Sequence, residues 1–166
     1  MPYFNIVAET SENTVVAEYE PVKKRSDSYQ SEAELEQGFT RLLCEQGYEY
    51  LPIHTEKDLI ANLRKKLEEL NNYRFSDTEW EDFFKNAVAN PNEHIVEKTR
   101  KIQEDNVQVL TRDDGSSKNI TLIDKKNIHN NRLQVINQYV IGTEDGAKHD
   151  NRYDVTVLVN GLPLVH

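Results

Sequence analysis

Residues 151–165 read Asn-Arg-Tyr-Asp-Val-Thr-Val-Leu-Val-Asn-Gly-Leu-Pro-Leu-Val, and this stretch decides the fold. Asn160-Gly161 lies between two apolar runs, the strongest short-range signal for a β-hairpin, because both residues adopt the positive φ angles of the matching turn. With these two as the loop, Val159 is expected to face Leu162, Val157 to face Leu164 and Val155 to face His166. Asp154 would then face a position one beyond the last residue. As an acid on a strand end, Asp154 is either solvated or a carboxylate ligand for a hard divalent cation, which wants oxygen donors.

Working back from the hairpin, period-2 patterning continues. Residues 132–141 predict a strand ended by Gly142, and residues 143–152 a polar loop. Residues 107–112 and 119–124 flank Asp113-Asp114-Gly115 as a second hairpin. Before Val107 the period is 3.6. Ser31 and Glu34 fit a capping box ahead of a stripe of Ala33, Leu35, Phe39, Leu42 and Leu43, closed by Gly47. A brief extended segment follows at 48–53. Leu59, Ile60, Leu63, Leu67 and Leu70 mark a second helix. Ser76 caps a third, carrying Trp80, Phe83, Phe84, Ala87 and Val88 and stopping before Pro91. A short basic helix runs from Ile95 to about Glu104. Residues 1–30 read as an arm with short strands at 5–8 and 15–17 and then a linker, and residues 31–166 as the domain. Helices first and a mainly antiparallel sheet after them predict an α+β or mixed α/β sandwich.

The 166 residues are 37% hydrophobic and 30% charged, with a mean hydropathy of -0.77. That is enough chain for one real core. No apolar run approaches the roughly 18 residues of a membrane span, and residues 1–17 lack the pattern of a secretory signal. The single cysteine, Cys44, excludes a disulfide framework and a multi-cysteine zinc site. A cytoplasmic protein is expected. Net charge is -9, and the deficit is one-sided: residues 1–83 hold 9 basic against 18 acidic residues, residues 84–166 hold 11 of each. A protein that grips DNA unaided shows a basic excess. If this chain acts on DNA, something else supplies the grip.

Simple catalytic constellations are missing. The five histidines show no ligand spacing, Asp113-Asp114-Gly115 lacks the closing Glu of a calcium loop, and no phosphate-binding Gly-rich loop with a following Lys occurs. Cys44, beside Leu42 and Leu43, is expected in the core.

Residues 131–139 (Asn-Arg-Leu-Gln-Val-Ile-Asn-Gln-Tyr) and 151–165 closely resemble the N-terminal region of the R (restriction, HsdR) subunit of type I restriction-modification enzymes. Residues 31–36, 46–52 and 123–129 match the same family, so the resemblance covers nearly the whole chain from about residue 25. It implies an α/β fold: part of a restriction-endonuclease-like (PD-(D/E)xK, RecB-like) domain, a mixed sheet flanked by helices and incomplete at its C-terminus. It implies that Asp154 is catalytic and binds Mg²⁺. It also implies that the following strand brings a Glu-x-Lys pair, since the family continues Ile-Glu-Leu-Lys where this sequence ends at His166. An upstream helix acid often joins such a site; Glu36 is the candidate, with Glu32 one turn earlier. The parent would cleave unmodified DNA with ATP, bound by motor domains outside this chain, in complex with M and S subunits and away from any membrane. The 166 residues alone are expected to be inactive. The alternatives are a non-catalytic interaction module docking through Trp80, Phe83 and Phe84, or a remnant without function.

Overall fold

The structure is a computed structural model and describes residues 3–9, 15–20, 31–141 and 151–165. Contacts divide the chain into two units, Met1–Glu32 and Ala33–His166. In the first, β1 (Tyr3–Glu9) pairs antiparallel with β2 (Val15–Glu20), with a register shift between Ile6 and Ala8. The expected linker at 21–30 and most of the expected loop at 143–152 lie outside the described residues.

The second unit is a mixed α/β domain. Helix α1 (Glu32–Glu45) starts directly after Ser31, and Gly47 closes it at φ 95°. The N–H groups of Gly47 and Tyr48 donate to the carbonyls of Cys44 and Leu43, which satisfies the last turn in a Schellman motif. Helix α2 (Glu56–Asn71) is capped by Thr55, whose hydroxyl accepts from the Asp58 N–H, and ends at Asn72 in the left-handed region. Helix α3 (Asp77–Phe83) has the expected Ser76 cap, reciprocated by Glu79, and continues as a π turn, Phe84–Val88. Helix α4 (Ile95–Gln103) follows.

The extended segment after α1 contributes β3 (Glu49–Tyr50). Strands β4 (Val107–Thr111) and β5 (Ser117–Thr121) form the expected hairpin but stand as their own two-stranded sheet. The main sheet has the order β3-β6-β7-β8, with β6 (Leu133–Ile141), β7 (Asn151–Val159) and β8 (Leu162–Val165). Strand β3 is parallel to β6 and the other pairs are antiparallel. The sheet is therefore mixed, and the hairpin at 107–121 is not part of it.

Leu110 and Ile120 show why the small hairpin stands apart. They face Leu63, Leu67, Phe75, Trp80 and Phe83 in one buried cluster that Leu162 also joins. Trp80 and Phe83 are core residues, packed on Phe75 at ring distances of 5.3 and 5.6 Å, and do not form the docking face the sequence allowed. A second cluster joins Ile53, Ile136 and Leu158, with Leu59 of α2 packed on it.

Three expectations are corrected. In α1, Leu43 is buried while Leu35, Phe39 and Leu42 are more than half exposed, because the helix turns its Glu36–Leu43 side inward. Cys44 is accordingly exposed instead of packed. In the β7–β8 pair, Val159 faces Leu162 as expected and Leu158 faces Pro163, but a bulge then brings Val157 opposite Val165. Proline gives the ladder no N–H, and the shift falls beside it. The position across from Asp154 in that register is three residues beyond Val165.

Candidate metal centre

The two acids singled out in the sequence lie on neighbouring elements. Glu36, on α1, is half-buried. Its Oε1 accepts from Asn137 Nδ2 at 2.9 Å and its Oε2 from Gln138 Nε2 at 3.4 Å. Asn137 is itself held, because Tyr50 Oη on β3 donates to its Oδ1 at 2.8 Å. The parallel pairing of Tyr50 with Val135 sets that reach, and the Leu51 N–H reinforces it by donating to the Val135 carbonyl at 3.0 Å. A tyrosine, an amide and a carboxylate thus tie β3, β6 and α1 together.

Asp154 is exposed on β7. Its neighbours Val155 and Tyr153 pair with Asn137 and Tyr139, so Gln138 is the residue across from it on β6. Glu36 thus reaches Asn137 and Gln138 from the α1 side, whereas Asp154, in step with Thr156 and so with Ile136, belongs by strand alternation to the face that α2 covers. Glu32, one turn earlier, is exposed. Asn137, Gln138 and Tyr50 were not foreseen. Two consecutive amides inside an apolar strand were the available signal, since such residues are poor strand formers.

The opposite end of β7 is built for rigidity. Asn160 is buried at φ 52°; its Oδ1 accepts from the Arg132 N–H at 2.8 Å, and its Nδ2 donates to the Leu122 carbonyl and to Asn131 Oδ1. Beside it, α2 is locked to the sheet through Gln134. That side chain donates to Glu49 and exchanges hydrogen bonds with Asn62, while Lys66 lies 3.6 Å from Glu49 and 3.2 Å from Glu69. The Gln134 hydrogen bond holds Glu49 below the usual carboxylate range; burial opposes it and the Lys66 charge assists.

The donor chemistry of Glu36 and Asp154 fits a hard cation. Magnesium keeps several waters and takes one or two carboxylates together with substrate phosphates. Among the described residues no three His, Cys, Asp or Glu side chains gather into a metal-binding group. His54, His94 and His129 are all exposed.

The fold is that of a mixed α/β domain, a four-stranded sheet flanked by helices, with Asp154 on a strand and Glu36 on a helix. Residues 29–166 match the family model described as Type I restriction enzyme R protein N terminus (HSDR_N). The chain is 45% identical over 160 residues to the endonuclease subunit of the type I restriction enzyme EcoprrI of Escherichia coli, covering 96% of this chain and 50% of that protein. It is 34% identical over 142 residues to a type I restriction enzyme endonuclease subunit of Staphylococcus saprophyticus, and 34% identical over 139 residues to one of Staphylococcus aureus. These matches cover 82% and 83% of this chain and 14% of either relative. The chain belongs to the family of type I restriction enzyme R protein N-terminal regions. It spans half or less of the length of the curated relatives it matches.

Proposed function

We propose that the chain forms the N-terminal, metal-holding part of a type I restriction endonuclease R subunit with a PD-(D/E)xK nuclease fold, whose parent cleaves unmodified DNA with Mg²⁺ and ATP. The observation that carries this reading is the family match over residues 29–166 together with Asp154 on β7, the first strand of the hairpin turned by Asn160-Gly161. Asp154 would hold the metal, and Asn137, steadied by Tyr50, holds Glu36 on the α1 side of the sheet. When bound, Mg²⁺ polarises the scissile phosphate and lowers the pKa of the attacking water. The bulge at Leu158 and Pro163 supports the assignment of the second acid. Carried on in the shifted register, the position facing Asp154 would be the second after His166, where the resemblance implies the Glu of Ile-Glu-Leu-Lys.

The acidic first half supports a DNA grip supplied by other parts of the R subunit and by M and S partners; the ATP site of the motor domains and a cytoplasmic location belong to the same proposal. Among the described residues no helix is long and apolar enough to cross a membrane. The interaction-module reading loses its docking face, since Trp80 and Phe83 are buried within the chain.

In a complete R subunit assembled with M and S subunits, Asp154→Ala abolishes DNA cleavage and leaves ATP hydrolysis intact; cleavage that survives overturns the assignment. The 166 residues alone leave supercoiled plasmid intact with Mg²⁺, because removing positioned transition-state charge lowers rates by orders of magnitude. Nicking that Asp154→Ala removes would overturn that part.

A further inference from the structure

We infer that the outward stripe of α1, formed by Leu35, Phe39 and Leu42 with Gly38 among them, is the docking face for a basic amphipathic helix from the part of the R subunit that follows residue 166. This rests on the reading of the chain as part of that subunit, whose curated relatives are at least twice as long. A surface helix buries its apolar side and wets its polar one. Helix α1 keeps Leu43 on its buried side and otherwise does the reverse. Glu36 turns toward the sheet, where it accepts from Asn137 and Gln138, while Leu35, Phe39 and Leu42 are 56%, 51% and 52% exposed. Their spacing of i, i+4 and i+7 sets them in one narrow row, the surface that one helix offers another.

Gly38 is an independent sign of the same thing. It lies one turn from both Leu35 and Leu42 and next to Phe39, inside a fourteen-residue helix. Glycine weakens a helix interior relative to alanine. Nothing among the described residues lies within 4 Å of a Cβ built on Gly38, and its φ is not positive. Neither backbone conformation nor packing within the chain calls for glycine here. A second helix crossing the stripe at this point does, because interaxial distance depends on the side chains at the contact.

Area and charge select the occupant. The three side chains expose roughly 300 Å² between them, whereas a freely diffusing partner, a second copy of the chain included, buries about 800 Å² a side in a stable complex. A segment of the same polypeptide needs less area, because a short tether sets a local concentration of about millimolar. Helix α1 carries Glu32, Glu34, Glu36 and Glu45 against Arg41 alone, and Arg41 lies 3.9 Å from Glu45. The excess of acid around the stripe calls for Lys or Arg beside the apolar row of the occupant.

The test uses a complete R subunit carrying this sequence, with Phe39→p-benzoylphenylalanine as a photo-crosslinking probe and the products mapped by mass spectrometry. The expected product is a crosslink within one polypeptide, to a segment after residue 166 in which Lys or Arg flanks apolar residues at helical spacing. A crosslink to residues 1–166, to a second R subunit or to an M or S subunit overturns the inference, and so does the absence of any crosslink.

Gly38→Ala adds a readout with opposite signs. In the 166-residue chain it is expected to raise the thermal midpoint by a few degrees, since helix propensity acts alone. In the complete subunit it is expected to lower the crosslink yield at residue 39 severalfold, and an unchanged yield overturns the close approach. DNA cleavage by the same subunit reports the underlying reading separately. If cleavage survives Asp154→Ala, that reading fails; if cleavage depends on Asp154 and the expected crosslink does not form, the docking inference alone fails.

Discussion

Gly161 and Leu63 approach so closely that a Cβ on the glycine would stand 2.6 Å from the leucine Cα and 2.9 Å from its amide nitrogen. Gly161 also has φ 84°, so turn geometry and helix packing make the same demand at one position. The hairpin tip is the surface on which α2 rests. Gly161→Ala therefore meets both a left-handed backbone and a clash with main-chain atoms that cannot swing aside, for a destabilisation of about 3 kcal/mol. Gly115→Ala is the control, with φ 80° and nothing within 4 Å of the added carbon; it costs about 1 kcal/mol. Urea unfolding of the two variants checks the difference.

Asn160 carries a second, separable contribution. Its side chain makes three hydrogen bonds while only 1% exposed, so truncation strands the Arg132 N–H and the Leu122 carbonyl as well as removing the bonds. Asn160→Ala lowers stability by about 3 kcal/mol, since buried groups left unsatisfied bear their full desolvation penalty. Asn160→Gly, which suits the turn, recovers only the backbone part. Thermal melts of the pair separate turn conformation from side-chain bonding.

The inward face of α1 is tested by neighbours. Leu43 is 9% exposed and Leu42 is 52% exposed. Leu43→Ala is expected to destabilise by about 2–3 kcal/mol and Leu42→Ala by less than about 0.5 kcal/mol. Equal effects would show that α1 lies on the sheet by its apolar stripe instead.

Acid weakens the fold through carboxylates held by the native structure. Burial pushes Glu79 up, but hydrogen bonds from the Ser76 N–H, the Tyr73 hydroxyl and the Asp113 N–H outweigh it and leave Glu79 below the usual range. Asp124 is lowered by the N–H of Asn127, the amide of Asn130 and the N–H of Lys126, and Glu49 chiefly by Gln134. All three have folded values below their unfolded ones, so the unfolded chain binds more protons in the interval between. Their stabilisation is complete above the ordinary values of 4.5 for Glu and 3.8 for Asp and is lost as pH falls through the depressed ones. Denaturant midpoints are expected to be flat from these groups near neutral pH and to drop below about pH 4.5. Glu49→Gln and Glu79→Gln each shrink that drop.

Local chemistry made much of the fold legible. Ser76 with Glu79, Gly47 after α1, Asn160-Gly161 and the turn at Asp113-Asp114-Gly115 act within a few residues, and each is where the pattern put it. The two candidate acids were legible as residues, Glu36 through its helix and Asp154 through its hairpin. The partners of Glu36 were not, because Asn137 and Gln138 lie about a hundred residues away and meet it only once α1 lies on β6. The face of α1 misled for a related reason. Its apolar stripe at Leu35, Phe39 and Leu42 points outward, and a polar contact decides which side turns in.

By itself the sequence determined the elements, their order, the tight turns and the family, because capping, periodicity and turn residues are short-range and a long match is specific. Only the tertiary structure decided that β3 runs parallel to β6, that the hairpin of β4 and β5 stands outside the main sheet, and that a bulge beside Pro163 brings Val157 opposite Val165 instead of Leu164. It also decided that Asn137 and Gln138 donate to Glu36, about a hundred residues away. These depend on which surfaces bury each other and on register across strands, and a single-residue slip in register changes every side chain's face while leaving the sequence pattern the same.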